Sequence, residues 1–256
     1  MTTTSTTSVR VFANSDLVSA GLDTFIEQQS QEAINARGVF NVAVSGGSLP
    51  KILSKHLVNN PHIAFDKWHI FFADERCVPL SHPDSNYLEL RKELLDRLPL
   101  SRQPHVHTMN QQHIHAPATA AADYQQQLHD HFKGVVPEFD VILLGMGPDG
   151  HCCSLFPGHS LLNEHHLYVA SIGDSPKPPS KRITFTLPII HRARKNVFVA
   201  TGQGKQEMLF NILHRPEMKL PCQLVGPAIW FVDQTAAALL PSSPSSTPSS
   251  FNTPKL

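Results

Sequence analysis

The chain has little that marks a secreted, membrane-bound or nucleic-acid-binding protein. Its 256 residues hold four cysteines, Cys77, Cys152, Cys153 and Cys222, with no paired C-x-x-C spacing. Adjacent Cys152 and Cys153 cannot bridge each other without strain, so reduced thiols in a reducing compartment are expected. No apolar run reaches the roughly 18 residues of a membrane helix. The opening MTTTSTTSVR lacks the apolar core of a secretory signal. Charge of one sign is not in excess: 21 basic side chains balance 21 acidic ones. That excludes a nucleic-acid or membrane field over the whole surface. There is no internal repeat. A cytoplasmic protein without nucleic-acid or membrane partners is expected.

What is present suits one large α/β domain better than two small ones, with 41% hydrophobic residues. Apolar runs predict strands at Val9–Ala13, Phe40–Val44, Trp68–Ala73, Asp140–Leu144, Ile183–Leu187, Val197–Ala200 and Ile229–Val232, with a further run at Leu167–Ile172. Helical spacing predicts a helix capped by Asn14 or Ser15, one opening near Leu49-Pro50, and others over Asn86–Leu98, Ala118–Phe132 and Lys205–Leu213. Strands alternating with helices imply a mainly parallel sheet covered on both faces. Residues 1–8 read as a flexible start, 9–240 as the single domain and 241–256 as a disordered tail. The tail, PSSPSSTPSSFNTPKL, is too rich in Ser and Pro to bury a core. Its final Pro-Lys-Leu is a distant echo of the peroxisomal Ser-Lys-Leu address.

Four loops beside predicted strands carry unusual polar residues. Ser45-Gly46-Gly47-Ser48 reads as an anion cradle at a helix N-terminus without the Lys of a P-loop, or as a tight turn needing glycine. Asp74-Glu75-Arg76 is either the solvated end of a strand or a source of an Arg fork for phosphate or carboxylate. Asp149-Gly150-His151 follows the run DVILLGMG. Histidine takes a proton from water near neutral pH, and an acid two residues away can orient it. The fourth group is Lys177 to Arg182 before one strand and Thr201-Gly202-Gln203-Gly204-Lys205 after another, both sources of cations.

Three other patterns compete. Gly145, Gly147 and Gly150 fit G-x-G-x-x-G, with Asp174 where a ribose-binding acid could lie. A dinucleotide loop must open a helix, and Pro157-Gly158 interrupts the chain too soon for a long one. His105 and His107, and His113 and His115, are each spaced to share a strand face. No carboxylate or Cys nearby completes a metal site, so none is expected. Cys152 and Cys153 beside His151 suggest a thiol nucleophile, but Leu155 and Phe156 suggest burial and a structural role.

Together the loops carry a resemblance. SGGSLP, ADER with the later Ser85-Asn86-Tyr87, LGMGPDGH-x-x-SLFPG, PKPPSKRITFTLP and GQGK occur in one order between about Val9 and Leu240. The chain resembles the 6-phosphogluconolactonases of the glucosamine-6-phosphate isomerase/6-phosphogluconolactonase family. That resemblance implies a Rossmann-like three-layer αβα fold. It also implies hydrolysis of 6-phospho-D-glucono-1,5-lactone to 6-phosphogluconate in the oxidative pentose phosphate pathway, with no cofactor; a monomer is expected. Carried over by motif, His151 is the general base and Asp149 its neighbour. Gly46, Gly47, Ser48 and Asp74 line the substrate, and Arg76, Arg182 and Lys205 hold its phosphate, with Lys181 adjacent to Arg182. Cys152-Cys153 departs from the Thr-Ala that many members carry after the histidine. The rival reading is an isomerising deaminase of the same superfamily. Those enzymes carry a further acid in a Phe-Asn-Glu-Pro context, where this chain has Ser154-Leu155-Phe156-Pro157 and no carboxylate before Glu164. A non-catalytic sugar-phosphate sensor would need no Asp149–His151 pair.

Overall fold

In the computed structural model, which describes residues 6–241, six of the eight predicted apolar runs line up in one parallel sheet, and the runs at Leu167–Ile172 and Ile183–Leu187 pair antiparallel in a second one. The strands of the parallel sheet are β1 (Ser8–Phe12), β2 (Phe40–Val44), β3 (Trp68–Phe72), β5 (His105–Val106), β6 (Val141–Gly145), β9 (Asn196–Ala200) and β10 (Ile229–Asp233). Their spatial order is β1-β10-β9-β6-β2-β3-β5, and every pairing is parallel. A separate antiparallel sheet has the order β4-β8-β7, with β4 at Asp74–Arg76, β7 at Val169–Ile172 and β8 at Arg182–Phe185. The helices are α1 (Ser15–Arg37), α2 (Leu49–Leu57), α3 (Asn86–Glu93), α4 (Pro117–His131) and α6 (Gln206–His214), with single-turn helices α5 (Leu187–Ile190) and α7 (Pro221–Leu224).

The central strands read as unbroken apolar runs because both of their faces are covered. All five residues of β2 are buried. The two-residue period sorts their side chains between two cores. Val42 and Val44 pack with Leu22 and Leu53 of α1 and α2, whereas Ala43 packs with Tyr124 and Leu128 of α4 and with Phe185 of the small sheet. Each fully buried Leu or Phe in these layers contributes about 1.5–3 kcal/mol. The three-layer α/β class expected from the sequence is the one present.

Differences lie at short or polar elements. The helix expected over Asn86–Leu98 stops at Glu93, because Leu94 leaves the helical region (φ −122°, ψ −62°) and Pro99 disfavours it for Leu98. A 3₁₀ turn at Leu95–Arg97 carries the apolar stripe onward, so Leu90, Leu94, Leu95 and Leu98 are all buried. β4 is three charged residues, invisible to a search for apolar runs, and β5 has only two residues. The expectations for residues 1–5 and 242–256, including the tail and its Pro-Lys-Leu end, lie outside the described residues. Among the described residues no helix is long and apolar enough to cross a membrane.

Topology places the functional loops. From β2 the chain winds towards β3 and β5, whereas from β6 it winds the other way towards β9 and β10. The crevice outside the carboxyl ends of neighbouring β2 and β6 is therefore the switch point where open α/β sheets bind ligands. The loops after β2, β3, β6 and β9 all emerge at that end.

Candidate active site

The loop after β2 turns at Gly47, whose φ of +71° favours glycine, and enters α2 with Pro50 in the first turn. Gly46 is required by space: a Cβ there would lie 1.9 Å from Oδ1 of Asn86. The N–H groups of Gly46, Gly47 and Ser48 have no backbone partner among the described residues. They are free donors at the positive end of a helix.

The loop after β3 is organised by Glu75, which is 1% exposed. Its carboxylate accepts from the backbone N–H groups of Arg76, Asn86 and Tyr87 and from Ser85 Oγ, all within 3.0 Å. Burial pushes its pKa up, and those N–H donors offset this only in part. Glu75 thus ties β4 to the start of α3 and is a structural residue. Asp74 faces the cleft and accepts from Ser154 Oγ at 2.8 Å and from Asn86 Nδ2 at 3.3 Å.

The loop after β6 builds the acid/base pair. Nδ1 of His151 lies 2.5 Å from Oδ1 of Asp149. Burial would raise Asp149, but hydrogen bonds and charge from His151 and Lys177 outweigh it and hold the carboxyl at about 2. Burial lowers His151, Asp149 pulls it up and Lys177 lowers it again; the net position is below the usual histidine value. At neutral pH the partners are therefore a carboxylate and a neutral imidazole. The carboxylate accepts only, so Nδ1 carries the proton and Nε2 keeps its lone pair. Gly147 makes room for this ring, because a Cβ there would lie 2.0 Å from Nδ1 of His151. Gly150 supplies a left-handed turn at φ +80°. No long helix follows Gly150. The chain turns into Cys152 and Leu155, and Asp174 stands exposed beside His159 at 3.2 Å. The G-x-G-x-x-G pattern thus has neither the helix nor the acid of a dinucleotide site.

One contributor was not singled out from the sequence. Lys177 Nζ lies 3.1 Å from Asp149 Oδ1 and 3.2 Å from His151 Nδ1. An ammonium and a protonated Nδ1 both lack an acceptor, so the second contact is purely electrostatic. The sequence marked its segment, Lys177 to Arg182, only as a source of cations. Arg182 secures that loop. It donates to the carbonyls of Lys177, Pro178 and Pro179 and to Ser154 Oγ. Arg182 is buried and lines the cleft, whereas its neighbour Lys181 is exposed.

The other two predicted cations also line the cleft. Arg76 donates to the carbonyl of Asp84, but its buried Nε has no partner among the described residues. Lys205 Nζ donates to the Met146 carbonyl at 2.6 Å, and burial pushes its pKa down. All of the predicted site residues except Asp149 line one cleft of about 200 Å³, with Asp149 directly behind His151. That is small against the roughly 300–1,000 Å³ of drug-sized sites, and suits a compact polar ligand. Cys153 also lines it, with Sγ 3.9 Å from Ser45 Oγ. Both Cys152 and Cys153 are buried with thiol pKa values pushed far up, so they do not present thiolates. In the segment where deaminases carry a further acid, the acid's place is taken by buried Phe156, and buried Ser154 donates to Asp74. Glu164 is exposed and bonds the backbone of His166 and Leu167.

Comparison with known proteins gives the same family as the loops. The model for glucosamine-6-phosphate isomerases/6-phosphogluconolactonase matches residues 13–232. A probable 6-phosphogluconolactonase of Schizosaccharomyces pombe is 42% identical over 246 residues, covering 91% of this chain and 96% of that protein. The 6-phosphogluconolactonase of Rattus norvegicus is 41% identical, covering 91% and 93%. The solved 6-phosphogluconolactonase of Trypanosoma cruzi superposes with a TM-score of 0.78 at 25% identity, covering 93% of this chain and 98% of that one. On sequence, fold and loop geometry, this chain belongs to the glucosamine-6-phosphate isomerase/6-phosphogluconolactonase family.

Proposed function

We propose that this chain hydrolyses 6-phospho-D-glucono-1,5-lactone to 6-phospho-D-gluconate, the lactonase step of the oxidative pentose phosphate pathway. One observation carries the reading. A neutral imidazole oriented by a carboxylate shares a small cleft with a buried Arg76 Nε that lacks a partner among the described residues. The first suits general-base attack by water, and the second suits a phosphate.

In this mechanism Nε2 of His151 takes a proton from water as the oxygen adds to C1. Negative charge builds on the carbonyl oxygen, where the free N–H groups of Gly46, Gly47 and Ser48 are the available donors. The tetrahedral intermediate collapses by breaking the bond from C1 to the ring oxygen, which recovers the proton from Nε2. Asp149 stabilises the transient imidazolium and fixes the tautomer. Arg76 and Lys205 hold the phosphate, and that remote grip positions C1 for attack. Arg182 and Asp74 position the loops. A δ-lactone is an activated ester, so neither a covalent nucleophile nor a cofactor is needed. Every group comes from one chain, and a monomer suffices. Four free thiols fit a reducing, cytoplasmic setting.

The test is a coupled assay with freshly generated phosphogluconolactone. His151→Ala lowers turnover about a hundredfold or more with KM largely kept; full activity in that variant refutes the assignment.

A further inference from the structure

At the β3-β5 edge of the sheet, outside the residues that line the cleft, three histidines from distant parts of the chain converge. His69 is the second residue of β3, His107 follows β5, and His131 ends α4. One ring nitrogen from each lies within 4.8 Å of the others. Nδ1 of His69 and Nε2 of His107 are 3.0 Å apart. In the sequence His107 is spaced with His105, and no acid or thiol beside them completes a set. The fold completes the set differently, with two histidines remote in sequence. His113 sits 3.8 Å from Asp123 instead, and His115 is exposed.

We propose that His69, His107 and His131 form a binding site for a borderline divalent cation of the zinc type, separate from the active site.

The chemistry of the donors supports this. Zn–N bonds of about 2.0–2.1 Å in a tetrahedron put the nitrogens roughly 3.4 Å apart. The His69–His107 pair, at 3.0 Å, opens by only about 0.4 Å to reach that spacing, and the third nitrogen, within 4.8 Å of the others, closes on it by a small side-chain shift of His131. Asn41 supplies an outer partner: its Oδ1 lies 2.8 Å from Nε2 of His131. An amide oxygen only accepts, so Nε2 carries the proton and Nδ1 of His131 keeps a lone pair. A ligating histidine whose other N–H is held this way has a fixed tautomer and orientation. In the metal-free state one proton is shared between His69 Nδ1 and His107 Nε2. On binding it moves to the remote nitrogen of the same ring, so both imidazoles stay neutral and no net charge is lost. Burial, then the neighbouring rings, hold His69 and His107 at about 4, so both are unprotonated near neutral pH. Phe71 stacks on His107 at 4.0 Å and, with Phe132 and Phe139, gives the cluster an apolar wall. A water fills the fourth position. Because the ligands come from β3, the segment after β5 and the end of α4, the ion clamps the sheet edge to that helix.

The experiment uses tag-free protein stripped with a chelator. Co²⁺ is titrated and its visible absorption followed, and Zn²⁺ is measured by competition with a chromogenic chelator. One equivalent is expected to bind, give the Co²⁺ band of a tetrahedral site and raise the thermal midpoint. Asn41→Ala weakens binding about 10–100-fold, and His107→Gln and His131→Gln weaken it further. His151→Gln leaves it intact. Circular dichroism of each metal-free variant separates ligand loss from unfolding, and His131, at a helix end, is the variant least able to disturb the sheet. The proposal is overturned if no stoichiometric binding occurs, if both histidine variants bind like wild type, or if His151→Gln abolishes the signal.

Discussion

Arg182 donates through Nη2 to the backbone carbonyl of Lys177 at 2.8 Å, so a cation in the cleft holds the segment that presents another cation to the base. The same guanidinium bonds two further carbonyls, and its Cζ lies 5.8 Å from the Phe156 ring centroid. Arg182→Ala leaves several carbonyls without donors, at a cost of about 3 kcal/mol or more. The thermal midpoint falls by roughly 6–12 °C. Steady-state kinetics show lower kcat together with higher KM. A change in KM alone, with unaltered stability, contradicts the positioning role.

Lys177 sets the pH at which His151 gains its proton. Activity needs neutral His151, so kcat/KM climbs with pH through the imidazole pKa. That pKa lies below the ordinary value, because burial and then Lys177 outweigh the pull of Asp149. The acid limb therefore has its midpoint below about 6.5. Lys177→Met removes a lowering influence and moves the midpoint up. Asp149→Asn removes a raising one, moves it down and lowers the plateau. A pH–rate profile of the three proteins checks the signs, and shifts in the opposite directions rule out the arrangement.

Gly147 is the most sensitive glycine of the loop. The Cβ of Gly147→Ala would lie 2.0 Å from Nδ1 and 2.1 Å from Cε1 of His151, so the ring must move. A misplacement of about 1 Å costs on the order of a hundredfold in turnover. Gly145→Ala, whose methyl meets nothing nearer than 4.0 Å, has the smaller effect. Single-turnover rates with far-ultraviolet dichroism as a folding control decide it. Equal effects at the two positions would falsify the steric account.

Arg76 distinguishes phosphate binding from general binding. Arg76→Ala raises KM for the phosphorylated lactone about tenfold or more and leaves hydrolysis of unphosphorylated gluconolactone unaltered. Equal losses on both substrates remove phosphate from the role of this residue.

The outline of both fold and site was legible because long apolar runs and glycine-bearing loops are local signals. FNVAV at β2, a short apolar run closed by Ser-Gly-Gly, reads as an inner strand and is buried on both faces. Asp149 and His151 are two residues apart, so their pairing is local too. What escaped the sequence depends on distance along the chain. Lys177 meets His151 only because β8 and the small sheet bring its loop back across the cleft. Asp74 and Arg76 face the cleft as the motif implied, but the inward turn of Glu75 to hold α3 could not be read from three consecutive charges. His69 and His131 are unremarkable until the sheet edge gathers them around His107.

Arg76 and Arg182 occupy directly opposed positions in the antiparallel pairing of β4 with β8. Like charges in that relationship repel. A small oxyanion seated between them offsets that repulsion, and the consequence reaches the choice of buffer. Inorganic phosphate or sulfate at millimolar levels competes with the lactone, raising apparent KM while raising the melting temperature. Kinetics recorded in phosphate understate the grip on substrate, and those recorded in a zwitterionic buffer report it fully.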